Sequence, residues 1–114
     1  PGLAMRDGRC DMSFGVMGAH YQPMGHVQIM LNMLDYGMDV QQAIDGPRFF
    51  WEGETVEVET GTPAATIDGL RARGHDVVIT DQPWGGAQTI KIDWERGVLI
   101  GGSEPRKDGC ALGY

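Results

Sequence analysis

A chain of 114 residues, 41% hydrophobic and 22% charged, is about one domain of ordinary globular composition, which argues against both disorder and coiled coil. A formal charge of −7 argues against a nucleic-acid or anionic-membrane partner, because both require clustered Lys and Arg. No apolar run approaches the roughly 18 residues a membrane-crossing helix needs.

The opening residues, "PGLAMRDGRC", carry no hydrophobic signal core and read as if begun in mid-strand, so a preceding segment is expected to be missing. Leu3 to Met5 and Met12 to Met17 form the arms of a hairpin, with Asp7-Gly8 at a turn where positive φ is cheap for glycine. From Pro23 the period becomes helical. Val27, Met30, Leu31 and Leu34 fall at helical spacing, and Gly37 ends the helix. "DVQQAID" is a second helix, capped by Asp39, facing inward through Val40, Ala43 and Ile44 and stopped by Gly46-Pro47.

"RFFWE" and "ETVEVET" read as strands, the second turning Val56 and Val58 inward and Thr55 and Glu57 outward. Thr62 is expected to cap "PAATIDGLRARG", whose Ile67 and Leu70 face inward and whose Gly74 is the stop. "HDVVIT", "AQTIKIDWE" and "GVLIGG" are three further strands, the last two joined by a tight turn near Glu95 to Gly97, and the tail "SEPRKDGCALGY" is irregular. This order predicts one compact unit of helices packed on a largely antiparallel sheet, an α+β fold.

The stretch most suggestive of chemistry is "FGVMGAHYQPMGH". A strand ending in Gly15-Val16-Met17-Gly18-Ala19 and leading into a helix exposes successive N–H groups beside a positive helix end. It can hold a carboxylate, a phosphate or a developing oxyanion. The plain alternative is that Gly18 serves only a tight bend. His20 and His26 flank this corner but lack a Ser, Cys or Asp partner in a nucleophile motif, and His26 reads as a hydrogen-bonded packing residue. His75 reads as a polar turn residue.

Glu52, Glu54, Glu57 and Glu59 look like a solvated strand face, and Trp51, Trp84 and Trp94 like core or interface anchors. Arg48 and Arg106 sit in the most specific-looking loops, and Arg106 either pairs with a carboxylate at a subunit joint or caps carbonyls. Cys10 and Cys110 match no metal or redox spacing and are expected to be unpaired thiols. Neither a cofactor motif nor a metal-ligand set is present.

Taken together, "GVMGAHYQPMGHVQ", "LNMLDYGMDVQQAIDGPRFF", "LRARGHDV", "GGAQTIKID" and "GGSEPRKDGCALGY" resemble the C-terminal part of the gamma-glutamyltranspeptidase family, especially its gamma-glutamyltransferase-like or acylase-like branch. The resemblance implies the N-terminal nucleophile hydrolase fold, an αββα sandwich whose precursor cleaves itself into a large and a small subunit. On this expectation residues 1–114 are a C-terminal portion of the small subunit. Partners are the large subunit, the N-terminal part of the small subunit and a gamma-glutamyl or related amide, and the full protein forms a homo-oligomer.

In that family the nucleophile is the small subunit's N-terminal Thr. Thr55, Thr60, Thr62, Thr66, Thr80 and Thr89 all lie in interior strand, turn or helix settings, so the nucleophile is expected outside this chain and the isolated fragment is expected to be inactive. The family's oxyanion-hole glycine pair maps onto Gly18 and Ala19. Its usual Gly-Ser-Pro-Gly-Gly pattern is altered here at Val16, Met17 and Ala19, and Ala19 retains the N–H that a donor requires. The same resemblance leaves open an acylase acting on glutaryl or other side-chain amides. A non-catalytic scaffold that has lost its nucleophile is the remaining alternative.

Overall fold

A computed structural model describes residues 1–114. Where composition suggested one compact unit, the chain folds as two, Pro1–Gly46 with Gly85–Tyr114, and Pro47–Trp84.

The first unit is built on an antiparallel sheet of four strands in the order β1-β2-β6-β7, with β1 at Gly2–Arg6, β2 at Arg9–Met17, β6 at Gly86–Asp93 and β7 at Val98–Ser103. The β1–β2 hairpin turns through Asp7 at φ 51° and Gly8 at φ 76°. Two consecutive left-handed residues give the primed turn that follows strand twist, as the Asp-Gly pair predicts. Helix α1 (Gln22–Leu34) and helix α2 (Val40–Asp45) cover one face of this sheet.

Close approach depends on two glycines. A Cβ on Gly25 of α1 would lie 2.7 Å from Val16 Cγ1, and a Cβ on Gly102 of β7 would lie 2.6 Å from Val40 Cγ1. Beneath the helices the core gathers Met12, Val16, Tyr21, Ile29, Val40, Ala43, Ile44 and Ala87, each burial of a large side chain being worth about 1.5–3 kcal/mol relative to exposure. Asp39 begins α2 in a full capping box, its carboxylate accepting from the Gln42 N–H at 2.8 Å while Gln42 Oε1 accepts from the Asp39 N–H.

The inward face of α1 is not its apolar stripe. Gly25, Gln28 and Ile29 are buried, whereas Val27, Leu31 and Leu34 are 52%, 42% and 59% exposed. Gly25 is the point where the helix can touch β2, and that contact sets its rotation. Hydrophobic spacing identified a genuine apolar stripe, but one that this chain leaves open. The opposite sheet face is only partly covered, by the C-terminal tail near Gly101: Leu3, Ile90 and Leu99, which the register places on that side, are all exposed.

The second unit pairs β3 (Phe49–Glu52) antiparallel and β5 (Asp76–Thr80) parallel to the central β4 (Thr55–Glu59), with helix α3 (Ala64–Ala72) as the crossover. The alternation in β4 is as expected, because Val56 and Val58 join Ile67 and Val77 in the core with Leu70 against them. Three details differ. Thr62 does not cap α3: its hydroxyl donates to the Glu59 carbonyl at 2.7 Å, and Pro63 holds the cap position.

Glu59 is not part of a solvated row. It is buried, accepting at Oε2 from the Arg48 N–H (3.0 Å) and at Oε1 from the Trp84 N–H (2.7 Å), so one carboxylate ties both ends of this unit together. Of the tryptophans, Trp84 packs on Phe50 with ring centroids 4.8 Å apart, while Trp51 and Trp94 lie at the surface. Trp94, in the first unit, donates its indole N–H to the Cys10 carbonyl at 2.9 Å beneath the Arg9 guanidinium.

Candidate functional site

The glycine corner sits where β2 ends. Gly18 has φ 128°, Ala19 has φ 48°, and a short 3₁₀ turn over Ala19–Tyr21 leads directly into α1. Two consecutive positive-φ residues re-aim the backbone in a way only glycine does without strain, and Ala19 accepts a cost of about 1–2 kcal/mol to do so. The turn's own hydrogen bonds use carbonyls: the Tyr21 N–H donates to Gly18 O at 2.9 Å and the Gln22 N–H to Ala19 O. The amides of Gly18 and Ala19 enter none of the turn and loop bonds between backbone groups. Gly18 is half-buried and Ala19 exposed, so the corner is partly open to solvent.

The corner is held from three sides. Tyr21, fully buried, fills the space under it. A Cβ on Gly18 would come within 3.2 Å of both the Gly85 Cα and Tyr21 Cδ1, and one on Gly85, itself at φ 67°, would meet the Met17 carbonyl oxygen at 2.5 Å. Gly85, which the sequence reading did not single out, is thus as constrained as Gly18. Its only advance signal was the Gly85-Gly86 doublet.

His26 is a hydrogen-bonded packing residue, as expected. Its Nε2 accepts from the Val16 N–H at 3.0 Å, and its ring stands edge-on to Phe14 at 5.2 Å. That acceptance requires the neutral imidazole. Burial holds its pKa below 6.5. His20 and His75 are exposed, His20 at the corner and His75 before β5.

Arg106 caps carbonyls and pairs with a carboxylate at once. It donates to the Ile44, Asp45 and Gly46 oxygens at the end of α2 at 3.0, 3.0 and 3.1 Å, and its Nη1 lies 2.9 Å from Glu104 Oε1. Glu104, missed in the sequence, is wholly buried and accepts at Oε2 from the Ala87 N–H at 2.8 Å. Arg48 belongs to the second unit, where its Nη1 donates to the Trp84 carbonyl at 2.9 Å. Cys10 and Cys110 are free thiols. A separate cleft of about 1000 Å³, between strand residues such as Ser13, Gln88 and Gly101 and the tail at Cys110–Tyr114, does not include Gly18 or Ala19.

Comparison with known proteins places this geometry in a class. The chain is α+β and superimposes on cephalosporin acylase from Bacillus halodurans, an N-terminal nucleophile hydrolase structure, with a TM-score of 0.90 and 37% identity over 98% of this chain and 22% of that one. The family model of gamma-glutamyltranspeptidase matches residues 1–114, and the chain belongs to that family. Among curated relatives it is 38% identical to the glutathione hydrolase-like YwrD proenzyme of Bacillus subtilis, covering 99% of this chain and 23% of the relative. It is 34% identical to the acylase ACY 1 proenzyme of a Pseudomonas species, covering 98% and 20%. The chain thus spans about a fifth of the length of the relatives it matches.

Proposed function

We propose that residues 1–114 form the C-terminal portion of the small subunit of an enzyme that cleaves or transfers gamma-glutamyl or related side-chain amides, and that Gly18 and Ala19 supply its oxyanion hole. The observation that carries this reading is the pair of amides at a left-handed corner, in a chain of the gamma-glutamyltranspeptidase family.

In this mechanism a Thr hydroxyl delivered by a segment outside residues 1–114 attacks the amide carbonyl, and the Thr α-amino group takes its proton. The carbonyl oxygen becomes an oxyanion and accepts from the Gly18 and Ala19 N–H groups. Collapse returns the proton to the leaving amine and leaves an acyl ester. Water or an amino acid then attacks that ester through the same hole. Each donor lowers the barrier by about 3 kcal/mol, because it is already aimed and costs no reorganisation as charge develops.

The uncovered surfaces support a partner chain. Val27, Leu31 and Leu34 on α1, and Leu3, Ile90 and Leu99 on the open sheet face, suit burial against the remainder of a precursor, as the proenzyme names of the relatives suggest. The acylase reading draws on the alikeness to two acylases and directs attention to glutaryl amides.

The test is steady-state turnover of gamma-glutamyl and glutaryl anilides by the full-length protein and by residues 1–114 alone. Turnover is expected only from the former, and the ratio of the two anilides separates transferase from acylase. Substituting Ala19→Val, whose branched Cβ resists φ 48°, should lower kcat about tenfold or more with KM little changed, as loss of a transition-state donor does. Turnover by the fragment, or an Ala19→Val enzyme with full kcat, refutes the assignment.

A further inference from the structure

The cross-strand pair just before the corner, Val16 of β2 with Ala87 of β6, has both of its outward N–H groups taken by side chains. On one side the Ala87 N–H points away from β2 and is taken by Glu104 Oε2 at 2.8 Å, just beyond β7, whose pairing begins at Gln88. Residues facing each other in an antiparallel ladder point their amides in opposite directions, so the Val16 N–H points away from β6, toward the β1 edge. There His26 Nε2 of α1 accepts the Val16 N–H at 3.0 Å.

This pair lies two residues before Gly18 and two after Gly85, and those glycines are in contact. Whatever fixes the Val16–Ala87 rung therefore fixes the direction of the corner's amides. From this we infer that His26 and Glu104 are paired positioning residues that hold the Gly18–Ala19 corner in register, and that protonating His26 releases it. The inference rests on the oxyanion reading for its catalytic consequence and on the geometry alone for its structural one.

The asymmetry between the two clamps makes one of them a switch. Glu104 is backed by the Arg106 guanidinium at 2.9 Å and stays an acceptor. His26 accepts only when neutral. A proton on Nε2 sets two donors against each other, and the Val16 bond is lost. Within residues 1–114, helix α1 carries no Asp, Glu, Lys or Arg, and β2 presents Phe14 and Val16 to the imidazole. Gly25, next to His26, lies against Val16 and Tyr21, so a shift of the helix end is passed to the turn.

The experiment uses the full-length protein labelled with ¹⁵N at Gly, Ala and Val, titrated from about pH 8 to pH 5 across the histidine range. The Val16, Gly18 and Ala19 amide resonances are expected to move together with the His26 imidazole, and to stay still in His26→Gln, whose Oε1 accepts without titrating. Movement of Val16 alone, with Gly18 and Ala19 unmoved, overturns the inference. In turnover, His26→Ala should lose kcat by about tenfold to a hundredfold with KM within a factor of about two, the size expected for a misplaced donor, and His26→Gln should restore most of it while weakening the fall in kcat at acid pH. Unchanged kcat in His26→Ala, or no recovery in a folded His26→Gln, also overturns it. If the wild-type protein turns over neither anilide, the oxyanion reading fails by itself and the resonances alone decide the positioning claim.

Discussion

Replacing Arg106 by Ala is a severe change outside the apolar core of the first unit, and the structure says which part of the loss dominates. The guanidinium makes three bonds to the α2 carbonyls and one to Glu104. The carbonyl bonds lie toward the surface, where water replaces the donor and the net cost of each is at most about 1 kcal/mol. The Glu104 side chain is 0% exposed and has no such recourse. Stripped of the guanidinium it keeps the Ala87 and Arg106 backbone N–H donors, and breaking a buried pair from one side costs about 3–5 kcal/mol. Against a urea m-value of about 1–3 kcal/mol/M, that loss moves the midpoint down by about 2 M.

The companion variant removes both charges. Arg106→Met with Glu104→Gln leaves an amide oxygen for the Ala87 N–H and no buried ion, so it should recover most of the loss and end within about 2 kcal/mol of wild type. Arg6→Ala is the control. Its partner Asp11 is 3.5 Å away and Arg6 is 65% exposed, so it should cost less than about 1 kcal/mol. Urea unfolding followed by Trp94 fluorescence reads all three. A midpoint for Arg106→Ala within error of wild type, or a double variant less stable than the single, would refute the claim that an uncompensated carboxylate controls the outcome.

Other substitutions test the corner and the histidine. Ala19→Gly relieves φ 48° while loosening the unfolded chain, and should stabilise by up to about 1 kcal/mol in thermal melts. Gly85→Ala sets a Cβ 2.5 Å from the Met17 oxygen at φ 67°, and should destabilise by about 2–5 kcal/mol in the same assay. Because the folded-state pKa of His26 lies below 6.5, the unfolded chain binds more protons there. Its contribution to stability should therefore be complete above about pH 6.5 and fall away as pH drops toward the folded pKa, a trend absent from melts of His26→Gln. The apolar stripe on α1 predicts that residues 1–114 alone self-associate in light scattering, and that Leu31→Glu with Leu34→Glu reduces this.

The local signals in this chain were legible because their physics is local. Asp7-Gly8 specifies a primed turn, Asp39 and Gln42 close a capping box three residues apart, and Val56 and Val58 alternate on one strand. Gly18 could also be read as a positive-φ corner, since few other residues stand between a strand and a helix in that way. Family resemblance then supplied a reason for that corner which spacing alone did not. What escaped was decided by residues distant in sequence. Glu59 looked like its exposed neighbours in "EGETVEVE" until Arg48 and Trp84 closed over it. The rotation of α1 was set by Gly25 against Val16, leaving outward the apolar stripe that periodicity located without fixing which way it faced. His26 and Glu104 acquired their roles only when α1 and the end of β7 packed around the Val16–Ala87 rung, because the acceptors of those two amides lie 10 and 17 residues away along the chain.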